Sequence, residues 1–202
     1  MTTALIHQVT FPPLTLTPHR FTVDEYHHMI AAGVFGEDDP IELVEGWIID
    51  KMPSNPPHDA VTGMIGSALR QGLPQGWCVR TQSAITTATS EPEPDQAVVS
   101  GDDRDYLTKH PHPGEIGLVV EVASSSLETD RSLKMRAYAS AGIPYYWIAN
   151  MIDGQLEVHS EPSGPSQTPG YAKVEILRSH DVVPLIIGGQ EVARLDVQSL
   201  LP

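Results

Sequence analysis

Ile116-Gly-Leu-Val-Val-Glu-Val-Ala123 is an apolar run with no alternation of apolar and polar positions. A strand with one face in water alternates, whereas a strand covered on both faces does not. The run therefore predicts a strand at the centre of a sheet, and Pro144–Ala149 predicts a second one. Between them, residues from about Glu128 to Ser140 read as a helix stopped at Gly142. One residue does not belong in such a strand. Glu121 places a carboxylate where desolvation costs several kcal/mol unless the group is paired, protonated or bound to a metal.

Working outward, residues 1–20 are Pro-rich and aperiodic and read as an extended arm. Thr22-x-x-Glu25 has the form of a capping box and opens a helix with Val23, Tyr26 and Ile30 on one face and a stop at Gly33. Ile41–Met52 reads as a hairpin turning at Glu45-Gly46. Three prolines in 53–57 form a hinge into a helix from about His58 to Gln71, with Val61, Ile65, Ala68 and Leu69 at helical spacing. Trp77–Ile85 predicts a half-buried strand and Gln96–Val99 another, followed by an acidic loop from Gly101 to Gly114. Beyond Asp153 the pattern is four short strands, Gln155–His159, Tyr171–Leu177, Val182–Ile187 and Val192–Asp196, separated by turns and a Pro/Gly/Ser loop over Glu161–Gly170. The order suits one α/β (α+β) domain over 21–202, a mixed sheet flanked by helices, with 153–199 as a small C-terminal β segment that extends the sheet or makes a homodimer contact.

The 202 residues carry 12 Lys and Arg against 26 Asp and Glu, a formal charge of −14. Non-specific binding to nucleic acid comes chiefly from basic residues neutralising phosphates, so a DNA-coating role is excluded. The acid is uneven. Residues 60–90 hold Arg70 and Arg80 and no acidic residue, so an anion site is expected in the middle of the chain. A single cysteine, Cys78, excludes an internal disulfide and any multi-cysteine metal site. The longest apolar runs are strand-length, far below the ~20 residues that span a bilayer, and the first residues lack a signal-peptide pattern. A cytoplasmic protein is the expectation.

Asp95, in Pro94-Asp-Gln-Ala-Val-Val99, raises the same desolvation problem as Glu121 on the preceding strand. Two hard oxygen ligands on neighbouring strands suit Mg²⁺ or Mn²⁺. Asp130, Lys134 and Tyr138 are spaced i, i+4, i+8 on the helix after Glu121, which puts Lys134 in reach of the carboxylates as a cation for water or phosphate. Glu42 on the hairpin and His58 at the second helix would complete the site. The competing reading makes Glu121 a structural ion-pair partner of Lys134 or an arginine, and Asp95 a turn cap.

Glu42-Leu-Val-Glu-Gly46, His58, Pro94-Asp95, Val120-Glu-Val-Ala-Ser124, Asp130-x-x-x-Lys134-x-x-x-Tyr138 and Gly142-Ile-Pro-Tyr-Tyr-Trp147 together resemble the Uma-two family, restriction-endonuclease-like proteins of the PD-(D/E)XK nuclease fold. The resemblance runs from about Phe21 to Leu201. It implies that Asp95, Glu121 and the backbone carbonyl of Val122 hold Mg²⁺ or Mn²⁺, that Lys134 is the catalytic lysine, and that Glu42 is the acidic residue of the first core element. Many nucleases of this fold carry the lysine two residues after the glutamate. That slot is Ala123 here, and Lys134 on the helix stands in for it. The implied activity is metal-assisted hydrolysis of phosphodiester bonds in DNA by an endodeoxyribonuclease-like hydrolase.

Other clusters read as structure. Asp102-Asp-Arg-Asp105 is a solvated acidic loop. His110-Pro-His112 and His27-His28 lack the partners of a zinc site. Ser124-Ser-Ser126 lacks a nucleophile elbow and suits a helix cap. Tyr145, Tyr146 and Trp147 sit in an apolar strand, where core packing outweighs base stacking. Two other functions fit the residues: a non-catalytic binding module that keeps the fold, favoured by the −14 charge, and a metal-dependent hydrolase of a small phosphoester, which needs no basic groove.

Overall fold

The computed structural model describes residues 17–36 and 39–202. Most of the predicted arm, residues 1–16, lies outside that range, and 17–20 carry no regular structure. The centre is a six-stranded mixed sheet in the order β3-β4-β5-β6-β7-β8: β3 (Trp77–Thr81), β4 (Gln96–Ser100), β5 (Ile116–Ala123), β6 (Tyr145–Asn150), β7 (Gln155–Pro162) and β8 (Tyr171–Leu177). β5 and β6 run parallel, and every other neighbouring pair is antiparallel. β5 is buried along its whole length, which is why its sequence shows no alternation.

Each face of the sheet has its own apolar layer. Leu118, Val120, Val122 and Trp147 pack with Val61, Ile65 and Leu69 of α2 (Pro56–Gly72). Val183, Leu185 and Ile187 of β9 (Val182–Ile187) close the same layer. β9 pairs with β10 (Gln190–Asp196) as a separate hairpin, while β7 and β8 carry the central sheet outward. On the other face Val119, Ala123 and Ile148 meet Tyr138, Ile143 and Tyr146. Tyr146 and Trp147 are core residues and Tyr145 is half-buried, as expected of that strand.

The crossover from β5 to β6 is one short helical turn, α3 (Leu127–Thr129), a π-helical turn over Asp130–Lys134, and α4 (Met135–Ala141). The π turn was not foreseen. α4 ends at Gly142 in the left-handed conformation (φ 75°), as the sequence indicated.

α1 (Val23–Ala31) opens with the Thr22/Glu25 capping box. Of its expected face only Tyr26 is buried, and Ile30 is 39% exposed. β1 (Ile41–Val44) and β2 (Trp47–Asp50) form the hairpin, with Glu45 (φ 49°) and Gly46 (φ 78°) both left-handed, as a tight two-residue turn demands. A Cβ on Gly46 would lie 2.8 Å from the Arg20 Cβ, so the turn also needs glycine for space.

Several boundaries differ from expectation, three of them for a visible reason. α2 begins at Pro56, before His58, because proline fits the first helical positions, where its missing N–H is no loss. β3 stops at Thr81, four residues before Ile85, because Gln82 turns left-handed (φ 46°). β7 continues to Pro162 through Glu161 (φ 62°), so the loop begins later than expected. Among the described residues no helix is long and apolar enough to cross a membrane.

Candidate active site

The β4–β5 register pairs Gln96 with Val120, so one residue further on Asp95 stands across from Glu121. Asp95 precedes β4, and its Oδ2 accepts the Val122 N–H at 2.8 Å, an amide that no longer has a β4 partner. In extended backbone a residue's N–H and C=O leave the strand on the same side. The Val122 carbonyl is thus directed to the Asp95 side of β5. Glu121 projects to the opposite face of the sheet from Val122, toward the crossover helix.

There it meets the lysine. Lys134 Nζ donates to Glu121 Oε1 at 3.0 Å and lies 3.2 Å from Glu42 Oε1. Tyr138 Oη donates to the same Glu121 oxygen at 2.7 Å. Glu42, in β1, is fixed from its other oxygen by the Glu93 N–H at 3.0 Å. His58 Nε2 is 3.2 Å from Asp95 Oδ2, while its backbone N–H goes to Asn55, the cap of α2. The five side chains expected at the site, from Glu42, His58, Asp95, Glu121 and Lys134, therefore line one cavity of about 770 Å³ together with Val122.

The sequence reading did not assign Asp130 or Tyr138 a role, although both share the helical spacing of Lys134. Asp130 is 1% exposed and lines the cavity. Its Oδ2 accepts the Ser126 hydroxyl at 2.6 Å, and its Oδ1 is buried with no hydrogen-bond partner. Ser126 thus does not cap the helix with its side chain, as expected, but holds Asp130. A π turn runs from Asp130 to Lys134, and such turns recur at functional sites. Gln82 is a further unforeseen lining residue, whose side chain reaches Asp95 Oδ1 at 3.4 Å.

The electrostatics are those of crowded carboxylates. Burial pushes the Glu121 carboxyl up to about 8. The Lys134 ammonium opposes the shift, and Asp130, Asp95 and Glu42 add to it. Burial also raises Asp130, against Lys134 and Ser126. Burial works against the Lys134 ammonium, but the surrounding carboxylates Glu121, Glu42 and Asp130 outweigh it and hold its pKa above the usual range. The hydrogen bond to Asp95 raises His58, against burial. Of the lining residues, Glu42, Asp50, Glu93, Asp95, Glu121 and Asp130 are acidic, and Lys51 and Lys134 are the basic ones apart from His58, a balance of −4 with every carboxyl ionised.

That donor set suits a hard divalent cation: a carboxylate just before β4 and another on β5, a strand carbonyl, and a buried carboxylate oxygen without a partner. Among the described residues no three His, Cys, Asp or Glu side chains are already gathered as a metal cluster. Asp102 and Asp105 are engaged in capping a short 3₁₀ turn, and His27 is bonded to Glu91, so neither the acidic loop nor the His27-His28 pair adds a ligand to this cavity.

Comparison with known proteins bears on the fold and the family. The fold matches that of a protein from Anabaena variabilis ATCC 29413 described as a putative nuclease belonging to DUF820, with 18% identity, a TM-score of 0.59, and coverage of 89% of this chain and 97% of that one. No curated protein matches the chain. The family model Uma2, described as "Putative restriction endonuclease", matches residues 23–198 and so takes in every element from α1 to β10. The chain belongs to the Uma2 family.

Proposed function

We propose that this protein is a metal-dependent endonuclease that hydrolyses phosphodiester bonds, in DNA before RNA. The observation that carries the reading is the convergence of Glu42 from β1, Asp95 from just before β4, Glu121 from β5 and Lys134 from the crossover on one acidic cavity. A net-negative pocket repels a phosphodiester unless a cation enters first, and six carboxylates against two lysines fit that sequence of events.

Asp95, Glu121 and the Val122 carbonyl would hold Mg²⁺ or Mn²⁺. A divalent ion in that position supplies Lewis acidity toward the phosphate and an acidified water. The chain's own residues do the rest. Lys134, held between Glu121 and Glu42, is positioned to orient the attacking water and to offset charge developing on the phosphorus oxygens. Glu42 and Tyr138 fix the ammonium and the Glu121 carboxyl in place. His58 orients Asp95 and takes the role of a positioning residue.

The formal charge of −14 favours a second reading, hydrolysis in the same cavity of a small phosphoester, which needs no basic groove. Incubation with supercoiled plasmid, single-stranded DNA, RNA and bis-(p-nitrophenyl) phosphate, each with Mg²⁺ or Mn²⁺, separates the two. Nicking of plasmid that is lost in Glu121→Ala supports the endonuclease. Turnover of the small diester alone favours the second reading. Equal cleavage by Glu121→Ala removes both.

A further inference from the structure

A second cavity, of about 340 Å³, lies beside the first and is lined by Tyr26, Arg80, His110 and Glu91, among others. Gln82 and Glu93 line both cavities, so the two are contiguous. Arg80 lies on β3, in the stretch of chain without acidic residues. Its Nε is buried with no hydrogen-bond partner, and so is Nδ1 of His110. Among the described residues its guanidinium forms no ion pair, although the chain has 26 acidic residues to 12 basic ones. The carboxylates nearby are already engaged. Glu91 takes His27 at 2.7 Å and Thr86 at 2.6 Å, and Glu93 takes Lys51 at 2.7 Å. The guanidinium lies over the Tyr106 ring, 5.2 Å from its centroid, a cation–π contact.

Buried polar groups left unpaired in a folded protein call for a partner. A guanidinium fork and an imidazole together suit an oxoanion, and the fork matches phosphate oxygens two at a time. We infer that the second cavity is an oxoanion subsite, in which Arg80 and His110 bind a phosphate group of the substrate strand adjoining the one held at Asp95 and Glu121. The inference rests on the nuclease reading for the identity of the strand, and on Arg80 and His110 alone for the anion.

The test uses the metal-free full chain and two probes, inorganic phosphate and a 5′-phosphorylated thymidine dinucleotide, followed by nitrogen–proton correlation spectra. The expected result is a saturable shift of the Arg80 Nε–H and of the amides over 80–84, with the dinucleotide binding more tightly than phosphate. Arg80→Gln should weaken it at least about tenfold, as loss of a charge-assisted hydrogen bond does. No shift at Arg80, or shifts confined to 121–126, overturns the subsite. Equal affinity for the two probes makes free phosphate the ligand and overturns its assignment to the substrate. Because the titration of the parent needs no variant, a misfolded Arg80→Gln does not decide the matter. The two readings fail separately: if the parent binds the dinucleotide at Arg80 yet cleaves no nucleic acid, the nuclease reading falls and the anion site stands. If it cleaves, Arg80→Gln should raise KM about tenfold with kcat nearly unchanged.

Discussion

Glu121 is the residue on which sequence and structure meet most closely. A carboxylate inside an unbroken apolar strand needs a partner, and the structure supplies Lys134 and Tyr138 from the crossover helix. That pairing is also what a purely structural ion pair would show, so the sequence left two readings open there. What distinguishes them is the company: Glu42, Asp95 and Asp130 are more acid than one ammonium neutralises. The surplus has a consequence for stability. The folded pKa of Glu121, pushed up to about 8, lies above its unfolded value, so the folded state binds more protons and stability falls as pH rises from about 5 toward 8. Glu121→Gln, of the same shape and without the charge, should abolish activity, be at least as stable as the parent at pH 8, and show a flatter decline over that window in urea unfolding. A variant that is several kcal/mol less stable at pH 8 would mean that the carboxylate is a structural partner first. Asp130 was not assigned because its role depends on burial, which i, i+4 spacing from Lys134 does not reveal.

At the scale of elements, strands and helices were legible wherever burial writes a period into the sequence. β5 came out with its boundaries, because it is covered on both faces, and the β1–β2 hairpin with its start and its turn, because a Glu-Gly pair accepts positive φ, while β2 ends at Asp50, two residues before Met52. The end of β3 did not, since nothing in Thr81-Gln82 advertises a left-handed glutamine. The π turn was illegible for a related reason: its justification lies in tertiary partners. Through it Arg131 reaches across to Glu157 of β7, donating from Nε at 3.0 Å to a carboxylate that also accepts from Asn150 at 2.8 Å. Burial opposes ionisation of Glu157, but these hydrogen bonds win and hold its pKa below the ordinary value. The stability this contributes is present above the unfolded pKa, near 4.5, and is lost as pH falls through the lower folded one. Arg131→Met should therefore cost about 2 kcal/mol at pH 7 and much less near pH 3. A cost independent of pH would assign the arginine's contribution to packing instead. In the hairpin, Gly46→Ala combines a left-handed φ with a 2.8 Å contact and should cost more than about 1 kcal/mol in thermal unfolding, while Ile30→Ala, on an exposed position, should cost little.

For the whole molecule, charge is the main constraint on how substrate binds. With a formal charge of −14 the chain has few basic residues to displace counterions from DNA, so binding in the presence of Mg²⁺ should depend weakly on monovalent salt. A slope of log K against log salt shallower than about −3 is expected, and one near −8 would point to a broad basic binding surface instead. The resemblance to the Uma-two family and the match of the family model agree over nearly all of the chain, so the family was legible from ordered motifs even though no single motif is diagnostic. The central claim is that the acidic cavity takes a divalent cation through Asp95. Its most direct test is calorimetric titration of Mn²⁺ and Mg²⁺ into the parent, Asp95→Ala and Lys134→Ala. Binding by the parent is expected, with its loss in Asp95→Ala and binding at least as strong in Lys134→Ala, where the carboxylates are freed from the ammonium. Equal binding by Asp95→Ala and the parent would contradict it.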